Sequence, residues 1–291
     1  MKKKGILVVN SFLKNAKFGE LYSYLNAAAQ KNDCDLKIHA SADLVSVVGT
    51  ATPISADFCL FWDKDIHLCR AIEGTGIRCY NCSDTILWCD DKALTAERLW
   101  KHEVKMPKTV IAPKTYVNVG YSDLSFLSRI EEMLGYPFVI KERFGSFGAQ
   151  VYLANDRPEA ERILYSCDGR EVLFQQFIAE SRGRDLRINV VKGEICGCML
   201  RYNESDFRSN ISNGGNMASY TPEKDYLDIA LQAAEAVNAD FAGVDVMFGK
   251  DGPIVCEVNA SPHFKSTLQA TGVNLADRIV ESILKDLGGS I

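Results

Sequence analysis

Short apolar runs alternate with amphipathic stretches along the first 85 residues of the chain. The runs GILVVN, DLKIHA and DFCLFW have the length and composition of buried strands, whereas residues 19–31 and 65–75 have helical periodicity. Alternation of strands and helices is typical of a parallel sheet with helical crossovers. We therefore expect a small α/β domain over residues 1–88.

The remaining pattern predicts two α+β lobes, at residues 89–178 and 179–291. In the first lobe, DDKALTAERLWKHEV is typical of a helix capped by Asp90 or Asp91. Further helices are expected at residues 122–134 and 158–167, with strands in PFVIKE and EVLFQQFIAE. The second lobe should contain strands at 185–191 and 194–202, a polar loop in SNISNGGNMASY, and a helix at 222–237.

The segment GVDVMFGKDGPIVCEVNASP predicts a β-hairpin with a five-residue loop at 249–253, since this loop is rich in glycine and ends in proline. That register pairs Phe248 with Ile254, Val246 with Cys256 and Val244 with Val258 on an apolar face. The opposite face then carries Asp245 directly across from Glu257, with Asn259 one step further along.

Two carboxylates that face each other across a ladder repel, and burying them without a positive partner costs several kcal/mol. The oxygen ligands of Asp245, Glu257 and Asn259 suit Mg²⁺ or Mn²⁺ and do not suit zinc. The pattern alone is also consistent with a strand pair whose acidic face points into water.

In PFVIKERFGSFGAQV, a predicted strand carries Lys141 to a loop that contains Gly145, Ser146 and Gly148. Backbone N–H groups of such a loop can approach a phosphate, and the lysine can bind the same anion. The loop is not a Walker A motif, because no Gly-Lys-Ser/Thr opens a helix here. An ordinary hairpin turn beside an exposed lysine is the alternative.

Arginines are concentrated in an otherwise acidic chain at positions 182, 184, 187, 201 and 208. In RGRDLRINVV, Asp185 and Arg187 lie two residues apart and therefore on one face of a predicted strand. Facing Asp245 and Glu257, they would form a mixed acidic and basic site for a metal-bound polyphosphate. His263 and Lys265 are candidates for acid-base chemistry, with surface positions as the alternative.

The net charge of -5 and pI near 5.5 argue against broad nucleic-acid or membrane-surface binding. MKKKGILVVN lacks the apolar core of a signal peptide, so a cytoplasmic location is the expectation. The ten cysteines are scattered through apolar stretches, which favours reduced and buried thiols. Cys79 and Cys82 form a CxxC pair, but no second pair completes a zinc site around it.

Taken together, the motifs from about residue 90 onward resemble the ATP-grasp superfamily, specifically its RimK-type amino-acid ligases. The resemblance rests on CDDKALT, YPFVIKERFGSFGAQV, VLFQQFI, GRDLRINVV, DFRSNISNGG, FAGVDVM and CEVNASP. It implies an α/β fold with an N-terminal pre-grasp domain and two α+β lobes that clamp ATP. His263, Phe264 and Lys265 follow NASP where the family usually has a small residue, so the sequence does not identify the added amino acid as glutamate.

The resemblance also implies roles for individual residues. Lys92 and Lys141 are similar to the two lysines that contact ATP phosphates, with Gly145, Ser146 and Gly148 folding over them. The adenine hinge would be formed by the backbone of Gln176, Phe177 and Ile178, and Asp185 would contact the nucleotide near the ribose. Asp245, Glu257 and Asn259 match the family's Mg²⁺ ligands. The positions near the phosphates and the reacting carboxylate are Arg187, Arg201, Arg208 and Asn210.

The implied activity is an ADP-forming carboxylate-amine ligase that works through an acyl phosphate. Its cofactors would be ATP and Mg²⁺ or Mn²⁺, and its substrates an amino acid together with a small molecule, a peptide or a carrier-protein terminus. The resemblance also implies a homo-oligomer, and no nucleic-acid or membrane partner is expected. The alternatives are a phosphotransferase of the same fold and a nucleotide-binding module without catalysis.

Overall fold

The computed structural model describes residues 2–45, 47–50 and 54–288, and within them the strands form three sheets. Two limits of the predicted domains, Met1 and the last three residues (289–291), lie outside the described residues. The combination of an α/β sheet with two further mixed lobes confirms the predicted fold class. The three domain limits themselves stay a prediction.

The first sheet is wholly parallel, as the alternating pattern predicts, with strand order β2-β1-β3-β4. Its strands are β1 (Lys4–Val9), β2 (Asp35–Ala40), β3 (Phe58–Trp62) and β4 (Cys79–Tyr80), and its helices are α1 (Ala16–Lys31) and α2 (Ile66–Glu73). Because β1 and β3 are neighbours with Val9 beside Trp62, the residues that follow them, Asn10 and Asp63, lie at one edge of the sheet.

Two short helices, α3 (Ser83–Asp90) and α4 (Lys92–Lys101), connect the first sheet to the second. The sequence reading missed α3. It correctly placed the start of α4, where the Asp91 side chain caps the helix by accepting a hydrogen bond from the Ala93 N–H at 2.9 Å. Arg143 also donates to Asp91, through Nε at 3.0 Å, so this buried carboxylate joins α4 to the second sheet.

The second sheet is antiparallel, with order β5-β8-β6-β7. It contains β5 (Thr109–Ile111), β6 (Phe138–Glu142), β7 (Val151–Ala154) and β8 (Val172–Gln176), packed against α5 (Leu127–Leu134) and α6 (Arg157–Ser166). The expected helix at 122–134 is wrong at its beginning, since α5 starts five residues later. There the Asp123 carboxylate accepts hydrogen bonds from the Ser125 N–H and hydroxyl, which favours a turn.

The third sheet is antiparallel, with order β11-β10-β9-β12-β13. Its strands are β9 (Arg184–Val191), β10 (Glu194–Tyr202), β11 (Asn216–Ser219), β12 (Phe241–Gly249) and β13 (Gly252–Asn259), with helices α7 (Lys224–Ala236), α8 (Lys265–Thr271) and α9 (Leu275–Asp286). Strand β11 lies in the segment that was expected to be only a loop. It pairs with the end of β10, where Arg201 is opposite Met217.

The hairpin of β12 and β13 confirms the expected register near the acidic residues and corrects it near the turn. Gly243 pairs with Asn259, Val244 with Val258, and Asp245 with Glu257. Beyond a β-bulge at Cys256, however, Val246 pairs with Val255 and Phe248 with Pro253, and the turn is only two residues long. The predicted five-residue loop, with its pairs Phe248–Ile254 and Val246–Cys256, is therefore wrong. A two-residue turn followed by a one-residue bulge pairs Asp245 with Glu257, as a five-residue loop without a bulge would also do.

A shared core joins the first sheet to the third. The α9 helix packs with α1 in one apolar cluster that also contains residues of β3 and β12, among them Trp62 and Phe241, whose rings stack at 5.2 Å. Asn81, fully buried, donates to the carbonyls of Phe241 and Ala260 at 2.8 Å each. These contacts fix the edge of the first sheet against the strands that carry Asp245 and Glu257.

The cysteines have free thiols, and most are buried. Cys79 lies close to Cys69 and Glu73, and the Glu73 carboxylate accepts hydrogen bonds from the Ser83 N–H at 2.9 Å and hydroxyl at 2.6 Å.

In the part of the chain that the structure describes, no helix is both long and apolar enough to cross a bilayer.

Replacing Phe264 with alanine should lower the free energy of unfolding by about 3–5 kcal/mol, because the ring is fully buried among Trp62 and Tyr24 and its loss leaves a cavity. Urea unfolding followed by fluorescence measures the change. The control is Phe12→Ala, since the Phe12 side chain is 82% exposed and its removal should change stability little. A similar loss in both variants would contradict the packing described here.

Candidate active site

Four charged side chains form a buried network on one face of the third sheet. Strand pairing places Arg201 opposite Asp185 and Arg187 opposite Asp245. Arg201 donates to both carboxylate oxygens of Asp185, at 2.7 and 2.6 Å, and its Nη2 lies 2.9 Å from Asp245. Arg187 also binds Asp245 through two nitrogens, with Nη2 at 2.9 Å and a shorter contact from Nε. The two positive and two negative charges cancel.

The network determines which of its groups carry charge. Burial alone would raise the pKa of Asp245, but the charges of Arg187 and Arg201 outweigh it, and the pKa is held below its usual range. For Arg201, burial opposes the charge, but Asp185 and Asp245 raise the pKa further above its already high value. Asp245 and Arg201 are therefore ionised at neutral pH.

Glu257 lies across from Asp245 on β13 and has no equivalent partner. Among the described residues, its carboxylate makes no ion pair or hydrogen bond, although the residue is half-buried. The Asn259 side chain, two residues further, uses its Nδ2 to donate to the Gly243 carbonyl at 3.2 Å, which leaves Oδ1 available as an acceptor. An uncompensated carboxylate beside an amide oxygen is a donor set that fits Mg²⁺.

The arrangement modifies the expectation for Asp245. The sequence predicted a cation between Asp245 and Glu257, but the cations that contact Asp245 here are the two guanidinium groups. Glu257 and Asn259 are thus the open oxygen ligands of the expected set, and the assignment of Asp245 as a metal ligand stays a prediction.

A cavity between the second and third sheets, the nucleotide cavity, brings most of the predicted nucleotide residues together. Its lining includes, of the residues expected from the sequence, Lys92, Lys141, Gly145, Ser146, Gly148, Gln176, Phe177, Ile178, Asp185, Arg208, Asn210, Asp245 and Glu257. Lys92 donates to the Gly145 carbonyl at 3.2 Å, and Lys141 lies 3.5 Å from the Cys256 thiol. Burial lowers the pKa of Lys92, with Glu257 opposing that change.

The loop between β6 and β7 closes one side of this cavity. Gly148 has φ +72°, and a Cβ at this position would lie 2.5 Å from Asn210 Oδ1, so glycine is required for both conformation and space. Arg208 donates to the Gly148 carbonyl at 2.7 Å and is itself held by Asp206 at 2.7 Å. The predicted residues Arg208 and Asn210 therefore contact or border the glycine-rich loop.

The end of β8 forms an apolar section of the same cavity. Phe177 and Ile178 lie there with Val139 and Met247, and the Phe177 ring meets Phe207 edge-on at 6.5 Å. Apolar walls beside exposed backbone suit a flat heteroaromatic ring. Adenine binding at Gln176, Phe177 and Ile178 stays a prediction.

A second cavity of about 560 Å³, the inter-sheet cavity, lies between the first and third sheets. Glu257 borders both cavities, whereas Arg187, Arg201 and Asn259 line only the second. The first sheet contributes Asn10, Asp63 and Lys64, which the sequence reading missed. Asn10 ends one predicted strand of a parallel sheet, and Asp63 and Lys64 follow another. Ligands commonly bind at this position, and this signal could have identified all three.

His263 and Lys265 contact helix α1, which changes the roles expected for them. Lys265 pairs with Glu20, and His263 Nε2 lies 3.4 Å from the Lys17 carbonyl while its ring meets Phe18 edge-on. Burial, followed by the positive charge of Lys17, lowers the pKa of His263 to about 4, so the ring is neutral at physiological pH. His263 still borders the inter-sheet cavity, whereas Lys265 holds α1 in place.

Comparison with known proteins agrees with this geometry. Residues 89–283 match the model of the RimK-like ATP-grasp domain. A probable alpha-L-glutamate ligase of Citrobacter koseri is 36% identical over 74% of this chain and 70% of that protein. An uncharacterized protein of Mycoplasma pneumoniae is 28% identical over 94% of this chain and 98% of its own length. The structure of a RimK domain ATP-grasp protein from Sphaerobacter thermophilus superimposes with a TM-score of 0.75 at 21% identity, covering 96% of this chain and 98% of that one.

Replacing Asp245 with asparagine should lower the free energy of unfolding by about 3–5 kcal/mol at pH 7, because it leaves buried guanidinium charge without its partner. Since the folded-state pKa of Asp245 is lowered, its stabilisation is present above the unfolded-state value of about 3.9 and is lost as the pH falls through the folded-state pKa. The difference between variant and wild type should thus be constant from about pH 8 to 5 and shrink below about pH 4.

Urea unfolding at a series of pH values measures this difference. Asp251→Asn is the matched control, because Asp251 is an exposed residue in the turn of the same hairpin and should show little effect at any pH. A loss in Asp245→Asn that persists undiminished at acid pH would show that the carboxylate charge is not the cause.

Proposed function

The chain belongs to the RimK-like ATP-grasp family, whose members form amide bonds at the expense of ATP, and we propose that this protein joins an amino acid to a substrate carboxylate with Mg²⁺ and ATP. The observation that carries the proposal is the position of Glu257, an uncompensated carboxylate at the junction of the nucleotide cavity and the inter-sheet cavity. A nucleotide in the first cavity and an amino acid in the second would meet at this residue.

In the proposed reaction, an oxygen of the substrate carboxylate attacks the γ-phosphorus of ATP, and ADP leaves. The ammonium group of the amino acid loses a proton to give an amine, whose nitrogen attacks the acyl carbon. Inorganic phosphate leaves, and the nitrogen releases a second proton to solvent as the amide forms. Neither step needs a covalent protein nucleophile, so the cysteines have no required part in it. The protein has to position the two substrates and neutralise charge.

Lys92 and Lys141 are placed to supply positive charge at the phosphates, since both line the nucleotide cavity and Lys141 is almost fully buried. Glu257 and Asn259, with Asp245 as the third predicted ligand, would hold Mg²⁺, which supplies charge neutralisation at the phosphate oxygens when bound. Arg187 and Arg201 are held by carboxylates, which fixes the positions of their guanidinium groups in the wall of the inter-sheet cavity.

The glycine-rich loop supports the proposal because its residues Ser146 and Phe147 line both cavities. Ser146 contacts Lys64 at 3.1 Å, and the Phe147 carbonyl accepts a hydrogen bond from Ser212 at 3.1 Å. The loop therefore contacts both the first sheet's lobe and the segment before β11. Excluding water matters here, because water would compete with the amine for the acyl phosphate.

Replacing Glu257 with glutamine keeps the size of the side chain and removes its charge. We expect the Mg²⁺ concentration needed for activity to rise and ADP formation to fall by about 100-fold or more, since a weakly held metal ion neutralises less charge on the phosphates. ADP and products are measured by mass spectrometry after incubation with Mg²⁺, ATP, and a panel of amino acids with carboxylate and peptide acceptors. Glu235→Gln, on the exposed face of α7, is the matched control.

Two results would overturn the proposed function. Stable transfer of phosphate to a hydroxyl, with no amide product, would identify a phosphotransferase. Tight ATP binding with no ADP formation for any combination in the panel would identify a nucleotide-binding module.

A further inference from the structure

Asp63 is a buried carboxylate that lines the inter-sheet cavity without a cationic partner. The residue is 7% exposed and follows directly after β3. Its oxygens accept hydrogen bonds from Asn10 Nδ2, at 3.0 and 3.3 Å, and from the Lys64 N–H at 2.7 Å. Among the described residues, no lysine or arginine lies within ion-pair distance of it. These neutral donors fix the carboxylate in place but leave its charge uncompensated.

The surroundings of Asp63 include the buried hydroxyl of Tyr22. Burial, with a smaller contribution from the Asp63 charge, raises the pKa of Tyr22 to about 12, and the buried Tyr22 hydroxyl has no hydrogen-bond partner within the described ranges. A buried carboxylate without a cationic partner is stabilised when a cation approaches it. The cavity that Asp63 borders is where such a cation can enter.

Lys17 provides a positive charge at the rim of the cavity that Asp63 also lines. Its Nζ lies 4.3 Å from the centre of the Phe147 ring, and the structure gives it no carboxylate partner in the described part of the chain. It is in the first turn of α1, where the helix dipole disfavours a cation and favours an anion. Partial burial also lowers the pKa of Lys17. An anionic ligand would relieve both penalties.

The other cations of the inter-sheet cavity already have partners. Lys64 pairs with Asp90, and Arg187 and Arg201 belong to the buried network around Asp245. With Glu257 assigned to the metal, the lining residues that the structure describes leave one negative and one positive group unmatched. The wall beside them is apolar, formed by side chains such as Phe18, Trp62 and Met199.

We propose that the inter-sheet cavity binds the amino-acid substrate as a zwitterion, with its ammonium group on Asp63 and its carboxylate on Lys17. The side chain of the amino acid then lies against Phe18, Trp62 and Met199. This proposal rests on the proposed ligase function for the identity of the cavity's occupant. In this proposal, Asp63 and Lys17 together select a ligand that carries one positive and one negative group.

Binding is tested apart from turnover by calorimetry on the full chain, saturated with Mg²⁺ and a non-hydrolysable ATP analogue. The probes are the twenty common L-amino acids, then the N-acetyl derivative and the carboxamide of the amino acid that binds most tightly. We expect each derivative to bind about 10- to 100-fold more weakly than the free amino acid, because each lacks one charged hydrogen-bonding group.

Variants of Asp63 and Lys17 test which charged group of the amino acid each side chain binds. Asp63→Asn should weaken binding of the free amino acid by about 10- to 100-fold and leave binding of the N-acetyl derivative nearly unchanged. Lys17→Met should have the corresponding effect for the carboxamide. Asp33→Asn and Lys14→Met are the controls, because both remove the same charges from exposed positions of the same lobe that do not border the cavity.

The zwitterion proposal is overturned if no amino acid binds to the nucleotide-loaded protein, or if the two variants bind the free amino acid as tightly as the controls do. The ligase proposal fails separately, when amino acids bind in this way but no acceptor in the panel gives ADP and an amide. Retained binding of the ATP analogue by each variant shows that the fold is intact.

Discussion

The buried pairing of Arg187 and Arg201 with Asp185 and Asp245 is the constraint on which the rest of the site depends. Four charges on one sheet face are tolerated because each has a partner of opposite sign at hydrogen-bonding distance, and removal of any one would leave a buried net charge. The network is neutral as a whole, so Glu257, the next acidic residue in the row, receives no share of the guanidinium charge. Lys92 interacts electrostatically with Glu257 without forming an ion pair, so a bound cation would add direct neutralisation of the carboxylate.

Much of this could be predicted from the sequence, because strand geometry is periodic. The spacing of Asp185 and Arg187 and the alternation around Asp245 were sufficient to place these side chains on one face, and the pairing of Asp245 with Glu257 was correct. The bulge at Cys256 could not be predicted, since a short turn with a bulge and a longer loop without one place Asp245 and Glu257 in the same register. Arg187 was expected to face Asp245, but the direct ion pairs of Asp245 with Arg187 and Arg201 were not predicted, because they depend on which strand lies beside β12.

The contributions of the first sheet were harder to predict than those of the other two. Asn10 and Asp63 are 53 positions apart, and only the parallel pairing of β1 with β3 brings them together. His263 and Lys265 illustrate the converse difficulty. Their types suggested acid-base chemistry, but with Phe264 between them they hold α1 against the third sheet. A residue type indicates a role only when its neighbours in space are known.

The contact between Phe147 and helix α1 links the two cavities. Phe147, at the tip of the glycine-rich loop, meets the Phe18 ring at 6.5 Å and lies under Lys17, while the same loop covers the nucleotide cavity. The loop therefore forms part of the wall of both cavities, since Ser146 and Phe147 line each of them. In an enzyme that forms an acyl phosphate, a shared wall of this kind would help to keep water from the activated carbon while the amine is in place.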